Sequence, residues 1–147
     1  MALIKKIEHV TFDIEKTYSG EPIPSPFKVF ILEDEEIKIE KIEKYIKMKY
    51  PNAEFITSKT STGALQLLNQ HQPFNLLMLD YDLGSLNNKI IDTGLKVAKY
   101  ITDKNIGYYK CFIHSMNYAG AKKMFQELDV TKTSILQFSM FEPKYVP

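Results

Sequence analysis

Leu76-Leu77-Met78-Leu79-Asp80-Tyr81-Asp82-Leu83-Gly84 is the stretch that decides how this chain is read. Four apolar residues in a row run into two carboxylates one residue apart, then a glycine. A short continuous apolar run is the pattern of a strand whose sheet is covered on both faces. Asp80 and Asp82 then stand where such a strand ends, at the carboxyl edge where open α/β sheets bind their ligands. Two negative charges this close repel, and a cation or proton chemistry accounts for them best. The competing explanation is a loop with two solvated aspartates.

Outward from that strand, the flanks repeat one pattern. Residues 27–32, Phe-Lys-Val-Phe-Ile-Leu, predict a first buried strand, ending in Glu33-Asp34-Glu35-Glu36. Acids in a first helical turn complement the helix dipole, and Asp34 is a candidate N-cap. Ile39, Ile42, Ile46 and Tyr50 place a helix after it, stopped by Pro51-Asn52. Glu54-Phe55-Ile56-Thr57 predicts a second strand. A second helix starts near Ser61 or Thr62, carries Leu65 and Leu68, and ends before Pro73. After Gly84, Ser85-Leu86-Asn87-Asn88-Lys89 reads as a polar, mobile loop. Asp92-Thr93-Gly94 opens a third helix through Leu95, Ala98 and Ile101, ended by Asn105 and Gly107. Tyr109–Ile113 is a fourth strand, running into His114-Ser115-Met116-Asn117. A fourth helix spans Ala119 to about Leu128, and Ser134–Phe138 is a fifth strand. Nine residues then remain, with Pro143 and Pro147 among them, too few for a full fifth helix. The alternation predicts an α/β fold, a doubly wound five-stranded parallel sheet lacking the last helix.

Ahead of this unit lies an extension. Val10, Phe12 and Ile14 alternate with polar residues, which predicts a half-buried extension strand. Pro22, Pro24 and Pro26 stiffen the following segment toward polyproline II. The expected division is therefore an extension and Pro-rich connector over 1–26 and one α/β domain over 27–147. Residues 1–20 are expected to dock on the main domain or on a protein partner.

Composition removes several classes of function. Nineteen basic against eighteen acidic residues give a net charge of +1, which leaves no strong nucleic-acid signal. No apolar stretch approaches a membrane span, and residues 1–20 lack a signal-peptide core, so the expected place is the cytoplasm. Cys111 is the single cysteine, which excludes a disulfide framework or a cysteine-based zinc site.

Three strand ends carry polar clusters: Glu33 and Asp34, then Asp80 and Asp82, then His114, Ser115 and Asn117. In a doubly wound sheet the first, third and fourth strands are neighbours at the switch point, so these clusters converge. Acids from two strands make a hard-cation site, for Mg²⁺ or Mn²⁺, with positions left for phosphate oxygens. His114 is the candidate general acid or base, since imidazole titrates near neutrality. Asp82 is a further candidate metal ligand. Ser115 and Asn117 are candidate phosphate donors, with a helix cap the alternative for Asn117.

Ile31-Leu32-Glu33-Asp34-Glu35 before a helix, with Leu79-Asp80 ending the third strand, resembles the response-regulator receiver domain. The resemblance covers residues 27 to about 140 and implies the strand order 2-1-3-4-5. It also implies Mg²⁺ bound by the acidic pair and by Asp80, with Asp80 as phosphoryl acceptor and Ser115 as the hydroxyl residue after strand four. Receivers carry a lysine just after strand five. Here Ser139-Met140-Phe141-Glu142-Pro143 intervenes and Lys144 comes late. Asp80-Tyr81-Asp82-Leu83-Gly84, Thr93-Gly94 and His114-Ser115-Met116-Asn117 with Gly120 are similar to a narrower relative, the cyclic-phosphate-processing receiver family. Tyr81 stands where that family usually has His. This resemblance implies a metal-dependent phosphoesterase acting on a small or terminal phosphate, cyclic phosphates included. In that chemistry Asp80 and His114 are catalytic, Ser115 and Asn117 bind phosphate, and Glu33, Asp34, Asp80 and Asp82 hold metal. The alternative function is a non-catalytic or phosphorylatable receiver-like module that binds a protein partner.

Overall fold

A computed structural model describes residues 26–86 and 89–147. The expected strand around Val10, Phe12 and Ile14 lies outside the described residues. The chain runs β1 (Lys28–Leu32), α1 (Glu36–Lys49), β2 (Glu54–Ser58), α2 (Ser61–His71), β3 (Phe74–Leu79), β4 (Ser85–Leu86), β5 (Lys89–Ile90), α3 (Leu95–Asp103), β6 (Tyr108–Ile113), α4 (Tyr118–Glu127) and β7 (Thr133–Ile135). The main sheet is five-stranded and parallel, in the order β2-β1-β3-β6-β7, which is the expected doubly wound order.

Strand alternation sorts the core into two halves. Phe30, Leu32, Leu77, Leu79, Cys111 and Ile113 point to one face, where Ala64 and Leu68 of α2, Val97 and Ala98 of α3, and Met124 of α4 cover them. Val29, Ile31, Leu76, Met78 and Phe112 point to the other, against Ile39, Ile42 and Ile46 of α1. All six residues of β3 are buried, so its unbroken apolar run serves both halves. Burying each large side chain in this way contributes about 1.5–3 kcal/mol.

Where a closing helix would pack beside α1, two single 3₁₀ turns stand instead, Phe138–Met140 and Pro143–Tyr145. Leu136, Phe141 and Val146 from this segment join the α1 half of the core. The Lys49 ammonium and the Tyr50 hydroxyl both donate to the Pro147 carbonyl, at 2.7 and 2.8 Å. The expected fifth strand is shorter than its apolar pattern, because only Thr133–Ile135 pair regularly with β6. Past that point the Leu136 and Phe138 amides still donate to the Ile113 and His114 carbonyls. The loop expected after Gly84 is a short antiparallel hairpin, with Ser85 opposite Ile90 and Leu86 opposite Lys89. Its ladder is extended by Ile91 donating to the Gly84 carbonyl and Leu83 to the Asp92 carbonyl.

Candidate metal centre

Register builds the site. Leu32 pairs with Leu79 and Leu79 with Ile113, so the three residues that follow form one row across β1, β3 and β6. Those residues are Glu33, Asp80 and His114. The Asp80 amide donates to the Leu32 carbonyl at 3.0 Å and the His114 amide to the Leu79 carbonyl at 2.9 Å, which fixes the row. Leu32, Leu79 and Ile113 face the α2–α4 half, so alternation turns the next residues toward α1. All three are buried, with Glu33 at 0%, His114 at 1% and Asp80 at 5% exposure. One ligand atom from each lies within 4.8 Å of the other two.

The surroundings leave this trio short of partners. Glu33 accepts the Glu35 amide on Oε2 at 3.0 Å, but its Oε1 has no hydrogen bond. That Oε1 lies 3.5 Å from His114 Nδ1, and neither imidazole nitrogen makes a well-formed hydrogen bond. Asp80 accepts the Tyr81 amide at 2.8 Å and the Ser115 hydroxyl. Burial, and then the charge of Asp80, push the Glu33 carboxyl up to about 8. Burial also pushes Asp80 up to about 6, against the pull of the Ser115 and Tyr81 hydrogen bonds. Burial, followed by the nearby Lys38 ammonium, pushes His114 down to about 3, so its ring is neutral. A neutral imidazole and two carboxylates that burial keeps from ionising are a donor set suited to a divalent cation. Buried polar atoms are seldom left unpaired, and Glu33 and His114 hold three such atoms between them. Glu33, Asp34 and Glu35 form a second acidic group that continues the site toward the surface.

The other sequence-derived residues fall into distinct places. Asp34 is half-buried at the rim and does not cap α1; Glu35 takes the N-cap position, with no side-chain cap bond. Asn117 is the N-cap of α4, accepting the Gly120 amide at 2.9 Å, and its amide group donates to Asp82 at 3.2 Å. Asp82 is therefore tied to Asn117, outside the buried trio. Its backbone bridges to Thr93. Ser115 is buried, and its hydroxyl oxygen also accepts the Asn117 amide at 3.1 Å. The Tyr81 ring lies flat against Gly120, where any Cβ would overlap it, so this residue packs rather than ligates. Gly94 is needed for a similar reason: a Cβ there would strike the Asp80 carbonyl, and its absence lets α3 begin against the site. His114 faces inward beneath α1, not outward over the carboxyl edge, since its strand parity is that of Phe112.

Three residues went unnoticed in the sequence. Asp92 accepts both the amide and the hydroxyl of Ser61, at 2.8 and 2.6 Å, joining the Asp82–Gly94 segment to the start of α2. Its signal was hidden in a triplet that reads as the start of α3. Lys38 and Phe138 border the trio from the α1 side, the Phe138 ring meeting His114 edge-on at 6.2 Å. Lys144, the late lysine, pairs instead with Glu142 at 3.5 Å and is exposed.

A five-stranded parallel sheet in this order, with acids at adjoining strand ends, defines a receiver-like domain. Residues 28–130 match the family described as the cyclic-phosphate processing receiver domain, and the chain belongs to that family. Among solved structures it is similar to the N-terminal domain of a response regulator/sensory box/GGDEF three-domain protein from Carboxydothermus hydrogenoformans. That likeness has a TM-score of 0.59 at 14% identity, covering 78% of this chain and 83% of the other. It is similar also to a fusion carrying a segment of the yeast Spc42 trimeric coiled coil. There the TM-score is 0.58 at 18% identity, covering 80% of this chain and 68% of the other. Both likenesses concern the fold. No curated protein matches the chain in sequence. No helix among the described residues is long and apolar enough to cross a membrane.

Proposed function

We propose that the domain is a divalent-metal-dependent phosphoesterase acting on a small or terminal phosphate, cyclic phosphates included. The observation that carries this reading is the buried trio Glu33, Asp80 and His114, whose ligand atoms lie within 4.8 Å of one another, with Glu33 Oε1 and both His114 nitrogens left without hydrogen bonds. Glu33, Asp80 and His114 would hold Mg²⁺ or Mn²⁺, with Asp34 completing the set at the rim and Asp82, tied to Asn117, reaching it only through water. When bound, the cation offsets charge on the phosphoryl oxygens and polarises the phosphorus.

The chain's own groups do the remaining work. Ser115 donates its one hydroxyl proton to the Asp80 carboxylate and keeps it oriented; that proton turns to a phosphate oxygen only where the cation takes its place on Asp80. Asn117 fixes Asp82 and the start of α4. The neutral His114 ring, with Nδ1 3.5 Å from Glu33 Oε1, holds Glu33 in place from below, a positioning role suited to its burial. Hydrolysis of a cyclic diester forms one bond from a water oxygen to phosphorus and breaks one ester P–O bond. The water's proton ends on the leaving alkoxide oxygen.

A second reading has one observation in its favour. Asp80 ends β3 beside a serine hydroxyl, as a phosphoryl acceptor would, so the domain would be a phosphorylatable module binding a protein partner through residues 1–20. Incubation with Mg²⁺ and a panel of nucleoside 2′,3′-cyclic phosphates separates the two. Turnover that is lost in Asp80→Asn supports the enzyme. Absence of turnover with a stable Asp80 adduct from acetyl phosphate supports the module.

A further inference from the structure

Lys38 sits in the first turn of α1, which covers the face of the sheet that carries the trio. Its side chain is only 22% exposed, and its ammonium lies 3.0 Å from Glu35 Oε2. The same ammonium stands 5.4 Å above the centroid of the Phe138 ring, and that ring in turn meets His114 edge-on. Burial works against the charge on Lys38, but Glu35, Glu33 and Asp80 more than offset it and hold the lysine protonated.

The pair with Glu35 does not account for this placement. Glu35 is 56% exposed, and a surface pair three residues apart on a helix contributes little. A partly desolvated lysine at that spot has its reason inside the site. Three carboxylates, Glu33, Asp34 and Asp80, outnumber the two charges of a divalent cation, and a phosphate adds to the deficit. A further positive charge is needed where the phosphate oxygens come to rest. Lys59, another lysine at this rim, is 54% exposed and spent on Glu36 at 2.8 Å. The Phe138 ring, which the Lys41 ammonium also approaches at 5.2 Å, gives the flexible Lys38 stem a preferred direction.

We propose that Lys38 is the phosphate-contacting cation of this site, and that Phe138 is its positioning residue. The proposal rests on the metal-site reading above. It assigns the ligand a phosphate oxygen lying between the α1 amino end and Asp80, supplied by inorganic phosphate or a phosphoester.

Calorimetric titration of inorganic phosphate into protein saturated with Mg²⁺, beside titration of Mg²⁺ alone, tests it. Lys38→Gln is expected to weaken phosphate binding tenfold or more while Mg²⁺ binding stays equal or tightens, since a repelling charge is gone. Lys38→Arg should restore most of the affinity, and Phe138→Leu should lose part of it with Mg²⁺ binding intact. Phosphate binding by Lys38→Gln equal to that of the parent, while Asp80→Asn loses both ligands, overturns the Lys38 assignment and leaves the metal site standing. Loss of Mg²⁺ along with phosphate in Lys38→Gln also overturns it, by making the lysine structural. A parent protein that binds neither Mg²⁺ nor phosphate overturns the metal-site reading and this inference with it.

Discussion

The two ends of the β1–β3–β6 ladder treat buried polar groups in opposite ways. At the amino end, the Asn75 side chain accepts the Lys28 amide at 2.7 Å. Lys28 sends its ammonium to the His71 carbonyl at 2.8 Å, and Gln72 accepts the Gly107 amide at 2.9 Å. At the carboxyl end, Glu33 Oε1 and both His114 nitrogens are buried without such partners. Pairing at one end locks loops to strands. Under-pairing at the other stores unfavourable free energy that a ligand can release, the usual trade between stability and function. Substitutions should therefore split: binding suffers at one end and stability at the other.

The largest effect expected is at Asp80. Asp80→Asn should weaken Mg²⁺ or Mn²⁺ binding by about 100-fold or more, read by calorimetry. It should also raise the melting temperature of the metal-free protein, because a buried charge is gone. A lower melting temperature would break the contrast. At the opposite end, Asn75→Ala strands the Lys28 amide and should cost about 1–2 kcal/mol in denaturant unfolding. Metal affinity should stay within about twofold of the parent. A smaller effect sharpens the contrast through pH. The folded Glu33 carboxyl keeps its proton up to about 8, whereas the unfolded one loses it near 4.5. The folded state thus binds more protons in between, so this contribution is full below 4.5 and fades as pH rises through about 8. Asp80 behaves alike at lower pH, ending at about 6. His114 works in the other direction, but only below 6.5, where the unfolded ring protonates and the buried one does not. From pH 6.5 to 8 Glu33 is left as the buried group that sets the slope. The metal-free melting temperature should fall by about 3 °C across that window, and saturating Mg²⁺ should abolish the fall.

What could be read from the residues follows from how local each signal is. The apolar runs of β1, β3 and β6 and the polar residues ending them are contiguous, so the meeting of Glu33, Asp80 and His114 was legible once the resemblance supplied the strand order. The inward turn of His114 was legible in principle, since it shares parity with Phe112 and with Glu33 across the register. Lys38 was not, because α1 also carries Lys41, Lys44 and Lys47 and nothing in a helical repeat marks one of them as facing a site. Phe138 was absorbed into an apolar pattern that outlasts its strand. Asp92 needed knowledge of where α2 begins in space, which no neighbouring residue encodes. The hairpin after Gly84 was hidden because the sequence there reads as a polar loop, while a ladder can form from backbone groups whatever the side chains.

The bond from Ser61 to Asp92 offers an experimental window on the centre. The Ser61 amide donates to a carboxylate whose own backbone carbonyl accepts the Leu83 amide, three residues beyond Asp80. An amide bonded to a charged oxygen resonates in an uncrowded part of a nitrogen–proton correlation spectrum. Ser61 is thus a built-in spectroscopic sentinel, recording any rearrangement of the Asp80–Gly84 segment from a position that touches none of the ligating atoms.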